Sequence, residues 1–238
     1  MGFLVYGGPA RTLALFRRMN GRLIAIGDTH GCPAELAELL TQLAPAAADR
    51  LVLLGDLINR GPDSPRVLDL ARECGAVCLL GNHELRLLHA HRTGDHRKLK
   101  PADIDTFARL RPADWEFLAA MPLTFDAPDL GVVCVHGGFL PGVPWHTQPA
   151  EVVTRIQVVT PDGRPARLSD APRAPHWSEL WHGPPLVLYG HTPQPDVLER
   201  PWSIGLDTGC VRGGHLTALV LPEKRFAQVA AHRDYTRA

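Results

Sequence analysis

The chain has little of what would mark it for a membrane, a secretory route or a nucleic-acid partner. No apolar run among its 238 residues approaches the length needed to cross a bilayer. The opening "MGFLVYGGPARTLALFRRMN" lacks a basic start followed by an apolar core and a small-residue cleavage site, so no secretory signal is expected. Charge of one sign is not in excess: Lys plus Arg and Asp plus Glu both number 25, which leaves only a local basic patch open and argues against general nucleic-acid binding. Cysteine is scarce. The five thiols, at positions 32, 74, 78, 134 and 210, are odd in number and lie in apolar or glycine-rich contexts. They suit reduced side chains in a cytoplasm better than a disulfide framework. Cys74 and Cys78 have no second Cys or His pair to complete a zinc knuckle, and read as small buried hydrophobes.

Several catalytic signatures are missing as well. There is no G-x-S-x-G elbow, no G-x-x-x-x-G-K-[ST] loop and no cysteine with an arginine six positions later. "HELRLLH" (83–89) separates its imidazoles by six residues, which does not put them on one helix face.

What is present is an ordinary globular composition, 45% hydrophobic and 21% charged. One domain over residues 21–238 is expected, with residues 1–20 a candidate N-terminal extension, because Met19 directly precedes the first patterned segment, "NGRLIAIGD". Apolar runs ending in Gly, "RLIAIG" (22–27), "RLVLLG" (50–55) and "AVCLLG" (76–81), alternate with helical patterns. In "PAELAELLTQLA" the positions Leu36, Leu39, Leu40 and Leu43 fall on one helical face; "SPRVLDLARECG" repeats this and stops at Gly75. This β-α-β-α-β rhythm predicts parallel strands with helical crossovers, and ligands beyond the carboxyl ends of the strands. Helices are expected at "ADIDTFARL" and "DWEFLAAMP", then strands within 130–138, 185–191, 203–210 and 216–222. The Pro- and Trp-rich stretch 141–185 between them has weak periodicity and is expected to act as a lid.

Polar clusters sit at these strand ends: "GDTHG" (27–31), "GDLINRGPDS" (55–64), "GNHE" (81–84), "VHGG" (135–138) and "GHTP" (190–193). One such cluster is turn chemistry; five on successive strand ends point to a shared rim. Imidazoles and carboxylates without thiolate suit Mn, Fe, Zn, Co or Ni, and there are ligands enough for two metals. A carboxylate could bridge two dications about 3.5–4 Å apart, and a water between those dications would be acidic enough to attack phosphorus as hydroxide. Arg60 lies beside such a centre, where its planar fork could hold phosphate oxygens, and His83 is placed to protonate a leaving oxygen.

In this order the blocks resemble those of the calcineurin-like metallophosphoesterases of the phosphoprotein-phosphatase superfamily. "GDLINRGPDS", "GNHELRLL" and "GLDTGCVRGG" (205–214) are most similar to the branch of symmetrical diadenosine tetraphosphatases. The resemblance implies an α/β four-layer sandwich, two mixed β-sheets flanked by helices. It implies that Asp28 and His30 bind a first metal, that Asp56 bridges, and that Asn82, His136 and His191 complete the second site, with manganese the first choice of metal. It also implies His83 as general acid and Arg60 as phosphate clamp. Protein phosphatases carry Asp where this chain has Asn59, and that Asp orients the catalytic histidine; an amide at this position should make His83 a weaker base. Arg155 is the candidate for a second phosphate-binding arginine, and Asp207 is either a support for the site or a structural turn.

The expected activity is therefore hydrolysis of a phosphoanhydride or phosphomonoester, first a dinucleoside polyphosphate. A phosphoprotein phosphatase is the alternative, and a catalytically silent metal- or phosphate-binding regulatory module a remote one. His89, His91 and His96 read as a solvated helix end. Trp177 and Trp181, four apart, are expected to share a helix face, packed in the core or stacking a nucleobase.

Overall fold

A computed structural model of the chain describes residues 21–237; the candidate extension at 1–20 lies outside the described residues. In chain order the strands are β1 (Leu23–Ile26), β2 (Arg50–Leu53), β3 (Val77–Cys78), β4 (Thr124–Ala127), β5 (Val132–Val135) and β6 (Val158–Val159). They continue with β7 (Pro165–Ala166), β8 (Leu186–Tyr189), β9 (Leu198–Arg200), β10 (Ser203–Gly205), β11 (His215–Leu221) and β12 (Arg225–Ala230). The helices are α1 (Pro33–Leu43), α2 (Ser64–Glu73), α3 (Asn82–Thr93), α4 (Pro101–Arg109), α5 (Pro112–Ala119) and the single turn α6 (Ala150–Val153).

Two five-stranded mixed sheets form the centre, in the orders β12-β11-β1-β2-β3 and β4-β5-β8-β10-β9. Each contains three neighbouring parallel strands: β1, β2 and β3 in the first, β5, β8 and β10 in the second. Because side chains alternate along a strand, Leu23 and Ala25 of β1 point to the space between the sheets, while Ile24 and Ile26 point outward under the helices. Val52, Cys134, Leu188, Ile204 and Leu219 complete the layer between the sheets, and all are almost fully buried. Fully apolar strands are the consequence of cover on both faces.

The outer face of the first sheet is covered by the stripe expected in α1, where Leu36, Leu39 and Leu43 are buried with Val67, Leu68 and Ala71 of α2. The second sheet is covered differently. The stretch 141–185 is not an open lid: it contains α6, the β6–β7 hairpin and two 3-10 turns. Val153, Ile156 and Trp177 from it pack with Phe139 and Tyr189 in a third buried cluster. Trp177 is 0% exposed. Its 3-10 turn ends at Glu179, so Trp177 and Trp181 do not share a helix face; their rings meet edge-on at 6.4 Å. The expected strand at 203–210 stops at Gly205, because the chain there turns into the site, and β4, β9 and β12 carried too weak an alternation to be read. His91, on the exposed end of α3, stacks on Trp115 at 4.2 Å between ring centres, so that end is packed on α5 as well as solvated.

A charge cluster joins α2 to α5. Arg72 donates to Asp69 (2.6 Å) and to Asp114 (2.7 Å), and Arg111 donates to the same two carboxylates (2.6 and 2.8 Å). Burial pushes the Asp114 carboxyl up, but Arg111 and Arg72 outweigh burial and hold its pKa at about 2. The folded value lies below that of an unfolded Asp, near 3.9, so this stabilisation is complete above pH about 4 and is lost as pH falls toward 2. Asp114→Asn is therefore expected to cost about 2 kcal/mol at pH 7. Urea midpoints of the two proteins should converge as the pH is lowered through that window.

Candidate binuclear metal centre

The six parallel strands deliver every polar cluster to one rim. Asp28 and His30 follow β1, Asp56 follows β2, Asn82 and His83 open α3 after β3, His136 follows β5, His191 follows β8 and Asp207 follows β10. The backbone is forced into unusual turns to do this. Five non-glycine residues of the rim have left-handed φ: His30 (46°), Asp56 (48°), Asn59 (73°), Arg60 (71°) and His191 (67°). Such conformations each cost on the order of 1–3 kcal/mol and persist where surrounding contacts over-determine them. Glu84 is one such contact. Fully buried, it accepts hydrogen bonds from the backbone N–H groups of Asp56 (3.1 Å), Leu57 (2.8 Å), Ile58 (3.2 Å) and Gly81 (3.0 Å), tying the loop after β2 to the start of α3. Two glycines are required by close approach. A Cβ on Gly81 would lie 2.3 Å from Asp56 Oδ1, and one on Gly190 would lie 2.1 Å from Asp28 Oδ1.

Asp56 sits at the middle. Its Oδ2 is 3.6 Å from His30 Nε2 and 3.9 Å from His83 Nε2, and its Oδ1 is 3.3 Å from His136 Nε2. Asp28 Oδ2 is 3.9 Å from His30 Nε2, and Asn82 Oδ1 is 3.3 Å from His136 Nε2. Two groups of potential ligands share this carboxylate, His30–Asp56–His83 and Asp56–His136–His191, each with its donor atoms within 4.8 Å of one another. The first group thus holds His30 together with His83, which was expected as general acid and not as a ligand, and the second holds His136 and His191; Asp28 adjoins His30 and Asn82 adjoins His136.

The donor set fits dications. Each expected imidazole ligand has one nitrogen on a backbone carbonyl: His30 Nδ1 on Ile58 O (3.1 Å), His136 Nδ1 on Leu54 O (2.8 Å) and His191 Nε2 on Arg155 O (3.2 Å). The other nitrogen of each is thereby turned away from the backbone and available as a metal ligand. On His136 it faces the oxygens of Asp56 and Asn82; burial would lower that ring, but the Asp56 and Asp28 carboxylates outweigh it and raise the ring to about 10. His30 Nε2 faces a donor-only group, the Arg60 guanidinium at 2.8 Å, which confirms that this nitrogen can accept.

Electrostatics without a cation are correspondingly unbalanced. Burial pushes Asp28 well up, and Asp207 adds to the shift. Burial also raises Asp207 to about 6, although the Gly209 N–H it accepts opposes this. Asp207 is buried beside Asp28, which places it behind the ligands as well as in a turn. Burial would raise Asp56 too, but His136 and His83 outweigh it and hold it well down. Burial lowers His30 to about 4 and His191 to about 3.

Over the centre lies a cavity of about 260 Å³, whose cationic lining is Arg60, Arg86, Lys100, Arg155, Arg167 and Arg212. Arg155, expected only as a candidate, does reach it. Four of these residues continue into a neighbouring cavity of about 510 Å³ that adds Lys98 and His89, with two acids, Asp95 and Glu151. Arg86, Lys100, Arg167 and Arg212 were missed by sequence reasoning, as were the roles of Glu84 and Asp103. Glu84 stood inside a motif; the others belong to no local pattern. No aromatic ring lines either cavity, so neither buried Trp177 nor Trp181 supplies the base platform that was one of the expected alternatives.

Fold and site together define a phosphoesterase of the α/β sandwich type. The profile of the calcineurin-like phosphoesterases matches residues 21–219, and the chain belongs to that family, whose members hydrolyse phosphate ester or anhydride bonds. Among its relatives is a symmetrical bis(5'-nucleosyl)-tetraphosphatase of Bordetella pertussis, 31% identical over 90% of this chain and 98% of that protein. Another is the asymmetrical bis(5'-nucleosyl)-tetraphosphatase PrpE of Oceanobacillus iheyensis, 29% identical over 88% of this chain and 92% of that protein. A crystal structure with a provisional diadenosine tetraphosphatase assignment superposes with a TM-score of 0.80 at 31% identity, covering 90% of this chain and 95% of its own. No helix among the described residues is long and apolar enough to cross a membrane.

Proposed function

We propose that the chain is a hydrolase of dinucleoside polyphosphates that works with two divalent cations, manganese first, and cleaves symmetrically. The observation that carries this reading is the six-cation lining of the cavity over Asp56. A phosphomonoester on a protein would occupy few of those cations. A polyphosphate adds a negative charge with every phosphate, and the cationic lining continues into the adjoining cavity. The names of the relatives agree with a polyphosphate substrate and divide over which bond is cut.

In this reading Asp28, His30, Asp56, Asn82, His136 and His191 hold the cations. When bound, the two cations would activate water and offset the phosphoryl charge. The chain's own residues do the rest. Arg60 and Arg155, both lining the cavity, clamp the phosphoryl oxygens. Asn59 fixes the His83 ring, and His83 Nε2 meets the leaving oxygen. Lys100, Arg167 and Arg212 hold the rest of the phosphate chain, Arg86 being engaged by Asp103, and its nucleosides extend toward solvent.

The test is the purified full chain with Mn²⁺, assayed side by side on diadenosine tetraphosphate and on a phosphoserine peptide. We expect kcat/KM to favour the dinucleotide by about a hundredfold or more, with two ADP as the products. Turnover of the peptide with the dinucleotide left intact would replace this reading with the phosphoprotein-phosphatase one.

A further inference from the structure

A polar cluster behind His83, on the side away from Asp56, has no place in the ligand set. Asp103, near the start of α4 and 1% exposed, accepts hydrogen bonds from four groups or atoms. They are Asn59 Nδ2 (2.8 Å), Arg86 Nε (2.8 Å), Arg86 Nη2 (2.7 Å) and the Lys100 backbone N–H (2.8 Å). Two of these donors also reach His83 Nδ1: Asn59 Nδ2 at 2.9 Å and Arg86 Nη2 at 3.1 Å.

A guanidinium has only donors, so Nδ1 must present its lone pair to Arg86. The ring hydrogen is then on Nε2, the nitrogen 3.9 Å from Asp56 Oδ2. The Asn59 amide is oriented by the same carboxylate. Its Oδ1 is buried without a hydrogen-bond partner, so the amide orientation is selected by Asp103 together with the His83 Nδ1 that Nδ2 also meets. Turned over, the amide would set its oxygen 2.8 Å from Asp103 Oδ1, with no hydrogen between two acceptors. The carboxylate that position 59 lacks is thus present in the site, supplied by α4, but one hydrogen bond further from the imidazole: Asp103 Oδ1 is 3.8 Å from His83 Nδ1.

We infer that Asp103 is a positioning residue: by orienting Asn59 and Arg86 it holds the His83 ring with Nδ1 against those two donors and Nε2–H toward the site, where it can hydrogen-bond the leaving oxygen. This rests on the phosphoesterase reading above and sharpens its substrate class through the leaving group. In phosphoanhydride hydrolysis the bridging P–O bond breaks with its electron pair going to the leaving phosphate. The water oxygen forms the new P–O bond, and the proton of the water is released to solvent. A phosphate leaving group departs as a stable anion and needs only the hydrogen bond. The alkoxide of a phosphoserine is a much poorer leaving group, and around His83 Nδ1 two donors stand where a carboxylate at position 59 would have been.

Long-range ¹H–¹⁵N spectra of histidine-labelled, metal-free protein read the tautomer directly. His83 is expected as Nε2–H in the parent, and Asp103→Ala is expected to lose that preference. Because Asp103→Ala leaves Arg86 unpaired and could fail to fold, the second variant is the exchange Asn59→Asp with Asp103→Asn, which keeps the charge and moves it next to Nδ1. With Mn²⁺, this exchange should raise the ratio of phosphoserine-peptide to diadenosine tetraphosphate turnover about tenfold, whereas a purely structural role would scale both substrates alike. An Nδ1–H tautomer in the parent, or an unchanged substrate ratio in the exchange, would overturn the assignment. Failure of the parent to hydrolyse any phosphate substrate would instead overturn the phosphoesterase reading, and the spectra would still decide the role of Asp103.

Discussion

Asp56→Asn is expected to abolish turnover and metal loading together. The carboxylate faces His30 with one oxygen and His136 with the other, at 3.6 and 3.3 Å, so it alone belongs to both candidate sites. An amide keeps the shape and can still accept the hydrogen bond that Asp56 Oδ1 takes from the His83 backbone N–H at 3.0 Å. It removes the negative charge and turns a donor toward one of the imidazoles. Catalysis on a dinucleotide should fall by about a thousandfold or more, and bound metal from two ions per chain to fewer than one. The thermal midpoint of the metal-free protein should stay within a few degrees of the parent, which separates loss of the centre from loss of the fold. Retention of two metals by the variant would show that Asp56 is not the shared ligand.

Glu84→Ala is expected to have the largest effect on stability. Its carboxylate satisfies four backbone N–H groups that the turns after β2 and β3 leave buried, and it is itself 0% exposed. Without it those donors have no acceptor, and the left-handed conformation of Asp56 loses the contact that holds it. A loss of roughly 3–5 kcal/mol in urea unfolding is expected, with activity falling in parallel because Asp56 and Asn82 are positioned by the same loops. Glu84→Gln should cost roughly half as much, since one oxygen still accepts while the new amide group faces N–H donors. Equal stability of Glu84→Ala and parent would mean that the loop is held by something other than these bonds.

Much of this candidate centre was legible in the sequence because strand ends and candidate ligands coincide. Asp28, His30, Asp56, Asn82, His136 and His191 each follow an apolar run by one to four residues, and local pattern is enough to find them. The helical stripes of α1 and α2 were legible for the same reason: one face is buried against a sheet, so apolar residues recur at helical spacing. What escaped is non-local. Asp103 reads as an ordinary acid in the first turn of a helix, and only the packing of α4 against α3 brings it beside Asn59, 44 residues away. Arg167 and Arg212 come from separate segments, one of them within the stretch whose weak periodicity was taken for a lid. That stretch buries Trp177 against Phe139 and Tyr189 without regular helix or strand, a form of core that leaves no period to read. Strands β4, β9 and β12 lie at sheet edges, where one side is exposed and alternation is weak.

The most direct test of the account is anomalous diffraction from crystals of the full chain grown with Mn²⁺. Two peaks are predicted, one touching Asp28, His30 and Asp56, the other Asp56, Asn82, His136 and His191. A single peak, or a pair in which Asp56 touches only one, would contradict a centre built on that shared carboxylate.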